Sequence, residues 1–232
     1  MGKLETIGFD ADDTLWHNER VFRLTQERFA NLLAGHADRE RLEAELLDAE
    51  TRNLAHYGYG VKGFVLSMIE TAIEVTDKTV PAGVIAELLE AGRDMLDHPI
   101  ELLPHAKDAV GALSKRYDLL LITKGDLLDQ ERKLAQSGLG ELFDGVEIVS
   151  EKTTASYRAI FDRHGVAAKH SMMVGNSMKS DVLPVIEAGG WGTHVPSDLE
   201  WDWEHAPAPE GHPRFHVLED LGGLADLVST IS

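Results

Sequence analysis

The sequence has 232 residues and contains no cysteine. This absence excludes disulfide-stapled folds, thiolate nucleophiles and cysteine-ligated zinc or iron–sulfur centres. No apolar run approaches the roughly 20 residues that a membrane-spanning helix requires, and the first residues lack the apolar segment of a signal peptide. We therefore expect a cytoplasmic protein without a membrane partner.

Basic residues are scarce. The chain has 22 Lys plus Arg against 40 Asp plus Glu, which gives a formal net charge of −18. A field of this sign repels the phosphate backbone of nucleic acids, so we expect no nucleic-acid partner. An anionic ligand would need a local cation, supplied by a lysine or a metal ion.

Short apolar runs, each followed by a polar turn and a helical pattern, recur along the chain. They are 4–9, 119–123, 146–149, 171–174, 192–195 and 215–218, and the predicted helices are 106–115, 127–137, 154–164, 181–188 and 221–229. Buried strands that alternate with helices indicate βα units and a parallel sheet covered on both faces. The predicted fold class is therefore α/β, with a Rossmann-like parallel sheet.

The segment 16–96 breaks this alternation, because it carries helical periodicity and no convincing strand. Its apolar stripes are separated by loops near 35–36, 57–60 and 77–81. We predict an all-helical domain of the four-helix-bundle type at 16–96, inserted into an α/β core made of 1–15 and 97–232. Residues 201–213 are predicted to form an extended surface loop.

Polar side chains follow four of the predicted strands. Asp10-Ala11-Asp12 follows the first, Thr123 ends the second, Lys152 follows the third, and 175–181 with Asn176 and Asp181 follows the fourth. Each has an ordinary structural interpretation, such as a solvated turn, a helix cap or a surface lysine. The carboxyl ends of parallel strands, however, meet at one edge of a sheet, where ligands bind. An acid pair, a hydroxyl, a lysine and oxygen ligands in this order suit phosphoryl transfer.

With these four motifs the sequence resembles the haloacid dehalogenase superfamily, and specifically its phosphatases. Residues 9–15 match the DxDGT/DxDxT signature, and Thr123 and Lys152 match the second and third motifs. The segment 175–181 matches GDxxxxD, and the helical insertion matches the helical C1 cap. The resemblance covers essentially the whole chain.

The resemblance implies a role for each motif residue. Asp10 would attack phosphorus to form an aspartyl-phosphate, and Asp12 would protonate the leaving alcohol and then activate water. Mg²⁺ would be held by Asp10, the Asp12 carbonyl and the fourth motif, while Thr123 and Lys152 would bind the phosphoryl oxygens. The backbone N–H groups of Ala11, Asp12 and Lys124 would contribute further contacts.

Two residues depart from the family pattern. Asn176 stands where the first acid of the fourth motif is usual, which removes one negative charge and leaves open whether Asn176 or Asp181 is the direct metal ligand. Lys124 stands where many relatives carry Asn. We take Lys124 as an additional phosphate-binding cation that partly offsets the acidic field.

The expected substrate is a small phosphorylated metabolite, whose identity the sequence leaves open along with the choice between monomer and homodimer. Phosphomutase and other hydrolase chemistry of the superfamily remain alternatives, as does a phosphate-binding relative without turnover. Phosphonate hydrolysis would need a Schiff-base lysine from the insertion, such as Lys62 or Lys78. Dehalogenation is disfavoured because dehalogenases of this superfamily lack the second Asp and the metal.

Overall fold

A computed structural model describes residues 3–199 and 204–231 of the chain. The described residues form two compact units. One comprises the described residues of 1–19, 100–124 and 130–232, and the other comprises 20–99 together with 125–129. Within the described ranges no helix is long and apolar enough to cross a membrane.

The first unit is built on a six-stranded sheet. Its strands are β1 (Thr6–Phe9), β2 (Asp118–Lys124), β3 (Gly145–Val149), β4 (Ser171–Gly175), β5 (Trp191–His194) and β6 (Phe215–Val217). They follow the order β3-β2-β1-β4-β5-β6, and every pairing is parallel. Each strand coincides with a predicted apolar run, so the predicted fold class, a Rossmann-like parallel sheet with a helical insertion, is confirmed.

The five helices predicted outside the insertion are present, with small differences at their ends. The α-helices are α1 (Glu19–Leu33), α2 (Arg39–Tyr57), α3 (Val61–Val75), α4 (Ala82–Leu96), α5 (Ala106–Leu113), α6 (Leu127–Ser137), α7 (Thr154–Arg163), α8 (Leu183–Ala188) and α9 (Leu224–Ile231). A π-helical turn (Met178–Val182) leads into α8, and a 3₁₀ turn (Leu221–Gly223) leads into α9. Of the loop predicted at 201–213, residues 201–203 lie outside the described residues, and 205–213 contain turns without helix or strand.

The central strands β1, β2 and β4 are buried on both faces because they are apolar at consecutive positions. Ile7, Phe9 and Leu121 pack on one face in a cluster with α5 and α9, while Leu120 and Ile122 pack on the other with α7 and α8. The two clusters fix the register, since a shift by one residue would exchange the two faces. Rigid strands therefore support the turns at their carboxyl ends.

The second unit has its own apolar core, contributed by α1 to α4. Phe29, Leu46, Met68 and Leu88 are among the side chains buried in it. This unit also takes in residues 125–129, which follow β2 directly. Lys62 on α3 forms an ion pair with Asp126 of this segment at 2.8 Å. The assignment of 16–96 as a cap domain with its own role stays a prediction.

Candidate active site

The site lies at the carboxyl edge of the sheet, where the central strand β1 is flanked by β2 and β4. Phe9 is in register with Leu121 and Val174, so the residues that follow it emerge beside the ends of both neighbours. Asp10 comes next, and its N–H donates to the carbonyl of Val174 at 2.9 Å. Asp10 is thereby held by the sheet rather than by a loose loop.

Lys152 joins the first and fourth motifs. Its ammonium donates to Oδ1 of Asp10 and, at 2.7 Å, to Oδ1 of Asp181. All three side chains are buried, and the second oxygen of Asp181 accepts from the N–H of Ser177 at 3.0 Å. Through its two oxygens, Asp181 holds both the lysine and the turn after β4.

Burial dominates the electrostatics of this pair. It raises the pKa of Asp10, against the opposing effect of the Lys152 ammonium, and Asp181 adds to the rise. Burial alone would lower the pKa of Lys152, but the carboxylates of Asp10 and Asp181 outweigh it, and the net pKa is raised. The lysine therefore stays charged and supplies a fixed cation beside the Asp10 carboxylate.

Asp12 is held by three donors that the sequence did not reveal. Its Oδ1 accepts from Nε1 of Trp16 at 2.7 Å and from Nζ of Lys133 at 3.0 Å. Its Oδ2 accepts from Nε2 of Gln130 at 2.9 Å. Gln130 and Lys133 are three positions apart on α6 and therefore lie on one face of the helix. The sequence alone does not say that this face points toward Asp12.

Thr123 and Lys124, both at the end of β2, lie in different surroundings. The buried Thr123 hydroxyl accepts from Nε2 of Gln130 at 2.9 Å and is linked through it to Asp12. Lys124 donates to the Ser180 hydroxyl at 3.0 Å and forms an ion pair with Glu204 at 2.6 Å. Glu204, which also binds the Ser177 and Ser180 hydroxyls, was not predicted as a site residue.

Asn176 faces a group of oxygen atoms. Its inward amide atom lies 3.1 Å from Oγ1 of Thr14, and 3.2 and 3.3 Å from Oδ2 of Asp10 and the main-chain oxygen of Asp12. With the NH₂ group inward, the amide donates to these acceptors. With the oxygen inward, it adds one more oxygen atom to a group that can bind a cation. On the other side, Nε2 of His194 lies 2.8 Å from the main-chain carbonyl oxygen of Asn176.

These oxygens fit a small hard cation. Ligands of octahedral Mg²⁺ at about 2.1 Å lie about 3 Å apart, which matches the distances from the inward Asn176 atom to Oδ2 of Asp10 and to the Asp12 carbonyl oxygen. Within residues 3–199 and 204–231, no three His, Asp or Glu side chains are arranged to hold a metal ion. A cation here would accordingly rely on an amide and a main-chain carbonyl as well as on one carboxylate.

The turn between Asp10 and α1 is closed by its own backbone. The Ala11 carbonyl accepts from the N–H groups of Thr14 and Leu15 at 3.3 and 2.8 Å, while phosphate binding by the Ala11 N–H stays a prediction. Asp13 has φ of 58°, the left-handed region that Asp tolerates better than most residues. Its carboxylate accepts from the N–H groups of Asn18 and Glu19 at 3.0 and 2.9 Å, and burial raises its pKa to about 6.

Comparisons with known proteins agree with this picture. A family model described as haloacid dehalogenase-like hydrolase matches residues 4–189. A crystal structure of a haloacid dehalogenase-like family hydrolase from Xanthomonas campestris has 39% sequence identity and a TM-score of 0.89, over 98% of this chain and 91% of that one.

Two more distant proteins share the fold. The Bacillus subtilis HAD-hydrolase YfnB is 26% identical over 149 residues, a match that spans 60% of this chain and 61% of YfnB. Its magnesium-bound crystal structure has a TM-score of 0.69 at 17% identity and covers 98% and 99% of the two chains. L-2-haloacid dehalogenase from Xanthobacter autotrophicus has a TM-score of 0.67 at 16% identity and covers 99% and 100%.

Proposed function

Because the chain belongs to the haloacid dehalogenase-like hydrolase family, we propose that it is a Mg²⁺-dependent phosphatase of small phosphorylated metabolites. The observation that carries the proposal is the Asp12 carboxylate, held by Trp16, Gln130 and Lys133 two residues after Asp10. Phosphoryl transfer needs this second acid to move a proton, whereas dehalogenation does not. YfnB was crystallised with magnesium, which supports a metal in this fold.

In the proposed reaction an Asp10 oxygen attacks phosphorus, and a P–O bond forms as the bond to the leaving alcohol breaks. Asp12 gives its proton to the leaving oxygen, so the alcohol departs neutral. Asp12, now a carboxylate, takes a proton from the water that attacks the aspartyl-phosphate. The Asp10–phosphorus bond breaks, inorganic phosphate leaves, and both aspartates return to their initial state.

The remaining residues balance charge. Lys152 lies against Asp10 and would neutralise the phosphoryl oxygens, and the Thr123 hydroxyl would donate to one of them. Asp10, the Asp12 carbonyl and Asn176 would hold Mg²⁺, which supplies positive charge against the transferring group. Asp181 would act through Lys152, to which its Oδ1 is hydrogen-bonded.

The test measures phosphate release from a panel of metabolite phosphates, with Mg²⁺ or with EDTA. We expect release from the wild type with Mg²⁺ and at least about a thousandfold less from Asp10→Asn, which lacks the nucleophile. Asp48→Asn, an exposed site on α2, is the matched control and should retain full activity.

Other functions give other results in the same assay. Halide release from 2-chloropropionate without phosphate release would make the protein a dehalogenase. Conversion of one phosphate ester into its isomer would indicate a mutase, and phosphate binding without turnover a binding protein. Release that survives EDTA would remove the metal from the proposal.

A further inference from the structure

Helix α6 presents two polar side chains to the candidate site. Gln130 is 2% exposed, and the Lys133 side chain is 11% exposed. A long cationic side chain is rarely buried to this extent without a partner. Both residues are therefore part of the site's interior and not of the outer helix surface.

The two side chains converge on Asp12 from one direction. Nζ of Lys133 lies 3.0 and 3.2 Å from the two Asp12 oxygens, and 2.7 Å from Oδ1 of Asn18. Nε2 of Gln130 reaches Oδ2 of Asp12, and it lies 2.9 Å from Thr123 Oγ1 and 2.7 Å from the Lys124 carbonyl. Both oxygens of Asp12 are thus engaged, which fixes the rotation of the carboxylate as well as its position.

The orientation of the Gln130 amide comes at a cost. Its Oε1 is buried and has no hydrogen-bond partner among the described residues. Burying an unsatisfied carbonyl costs free energy. In this orientation, however, Nε2 faces three acceptors. Turning the amide over would set its oxygen against those same acceptors.

We propose that Lys133 and Gln130 are positioning residues that hold the Asp12 carboxylate where it exchanges a proton with the leaving group and the water. The inference rests on the proposed phosphatase function and extends it to two residues outside the four motifs. Proton transfer requires hydrogen-bond distance and alignment, and the Asp12 side chain alone has two freely rotating bonds. Together with Trp16, which also donates to Oδ1, Lys133 and Gln130 restrict that freedom.

The test uses kcat/KM, which reports only the steps through release of the alcohol. An alkyl phosphate needs a proton on its leaving oxygen, whereas 4-nitrophenyl phosphate hardly does. Lys133→Met should lower kcat/KM for the alkyl ester by about 30- to 100-fold, a part of the 10²–10⁴ typical of general acid catalysis. The loss of kcat/KM for the nitrophenyl ester should stay within about threefold. Gln130→Leu should also lower kcat/KM more for the alkyl ester than for the nitrophenyl ester, but by a smaller factor than Lys133→Met.

Control variants and an Asp12→Asn background test whether Lys133 and Gln130 act through Asp12. Lys115→Met and Gln136→Leu replace the same residue types at exposed positions and should leave both esters unaffected. Lys133→Arg should restore part of the alkyl-ester activity, because a guanidinium can still bind a carboxylate. In an Asp12→Asn background, Lys133→Met should cause almost no further loss.

The outcomes separate the two proposals. Equal losses on both esters, or an undiminished loss in the Asp12→Asn background, would overturn the positioning role while the phosphatase function stood. If Lys133→Met is unfolded by circular dichroism, Lys133→Arg and Gln130→Leu test the same contrast. A wild type that releases no phosphate from any ester would overturn the proposed function and this inference with it.

Discussion

The inward amide atom of Asn176 lies 3.2 Å from Oδ2 of Asp10. At this distance an NH₂ group donates to the carboxylate, whereas an oxygen needs a cation between the two atoms. The amide can therefore face the site in either orientation, and a bound cation requires the oxygen inward. An aspartate at this position would have no donor to offer Asp10 and would repel it until a cation arrived.

Replacing Asn176 by Asp should accordingly tighten Mg²⁺ binding. We expect the dissociation constant to fall about tenfold, equivalent to about 1.4 kcal/mol, and the metal-free protein to unfold at a lower temperature. Calorimetric titration and thermal unfolding with and without Mg²⁺ measure both effects. Asn31→Asp, an exposed substitution on α1, adds the same charge as a control, and an equal change there would contradict a local cause.

Glu204 neutralises the lysine at the end of β2. Without this carboxylate the Lys124 ammonium would present an uncompensated charge near the phosphoryl position, so Glu204→Gln should lower KM for phosphate esters about three- to tenfold. Lys124→Met should raise KM and lower stability, because it leaves Glu204 buried without its cation. Glu210→Gln, at an exposed position in the same loop, is the control. An unchanged KM in Glu204→Gln would show that the charge of Lys124 does not affect substrate binding.

The same ion pair predicts a pH dependence of stability. Burial by itself raises the pKa of Glu204. Lys124 and the two serine hydroxyls together lower it by more than burial raises it, and the net pKa lies below the usual 4.5. A carboxylate whose folded pKa is depressed stabilises the fold above its unfolded pKa, and the stabilisation disappears as pH falls through the folded value. The difference in melting temperature between wild type and Glu204→Gln should stay constant from pH 8 to about 6 and shrink below pH 4.5.

Gly175 leaves room for the Asp181 carboxylate. A Cβ built on Gly175 would overlap that carboxyl group, while one on Gly111 in α5 would meet nothing within 4 Å. Gly175→Ala should displace Asp181 from Lys152 and lower the free energy of unfolding by about 2 to 4 kcal/mol. Gly111→Ala should raise it by about 0.5 to 1 kcal/mol, as denaturant titration of both variants can show; a neutral Gly175→Ala would mean that the turn relaxes freely.

The fold was predictable because its signals are local. Each strand is a short apolar run that ends at a polar turn, and the runs alternate with helical stripes. The start of the helix after β4 was misplaced at Asp181, because the chain first makes a π turn from Met178. This turn, in which the Val182 N–H donates to the Ser177 carbonyl, has no sequence signature of its own.

The site was predictable where strand ends supply it and unpredictable where other elements do. Asp10 and Asn176 follow buried strands and Thr123 lies at the end of one, and the parallel order of the strands brings them together. Gln130 and Lys133 instead lie on a helix whose polar residues all resemble a solvated face until its orientation is known. Glu204 comes from a stretch whose sequence shows neither strand nor helix periodicity.

The helical unit includes residues 125–129, which come later in the sequence than the continuous segment 20–99 that forms the rest of the unit. A gene fragment for 16–96 therefore omits Asp126, the ion-pair partner of Lys62. Grafting this insertion onto a relative would carry only one side of that pair, and the recipient's own residues after its second strand would have to match. A graft that keeps this pair must therefore carry both the insertion and the five-residue segment.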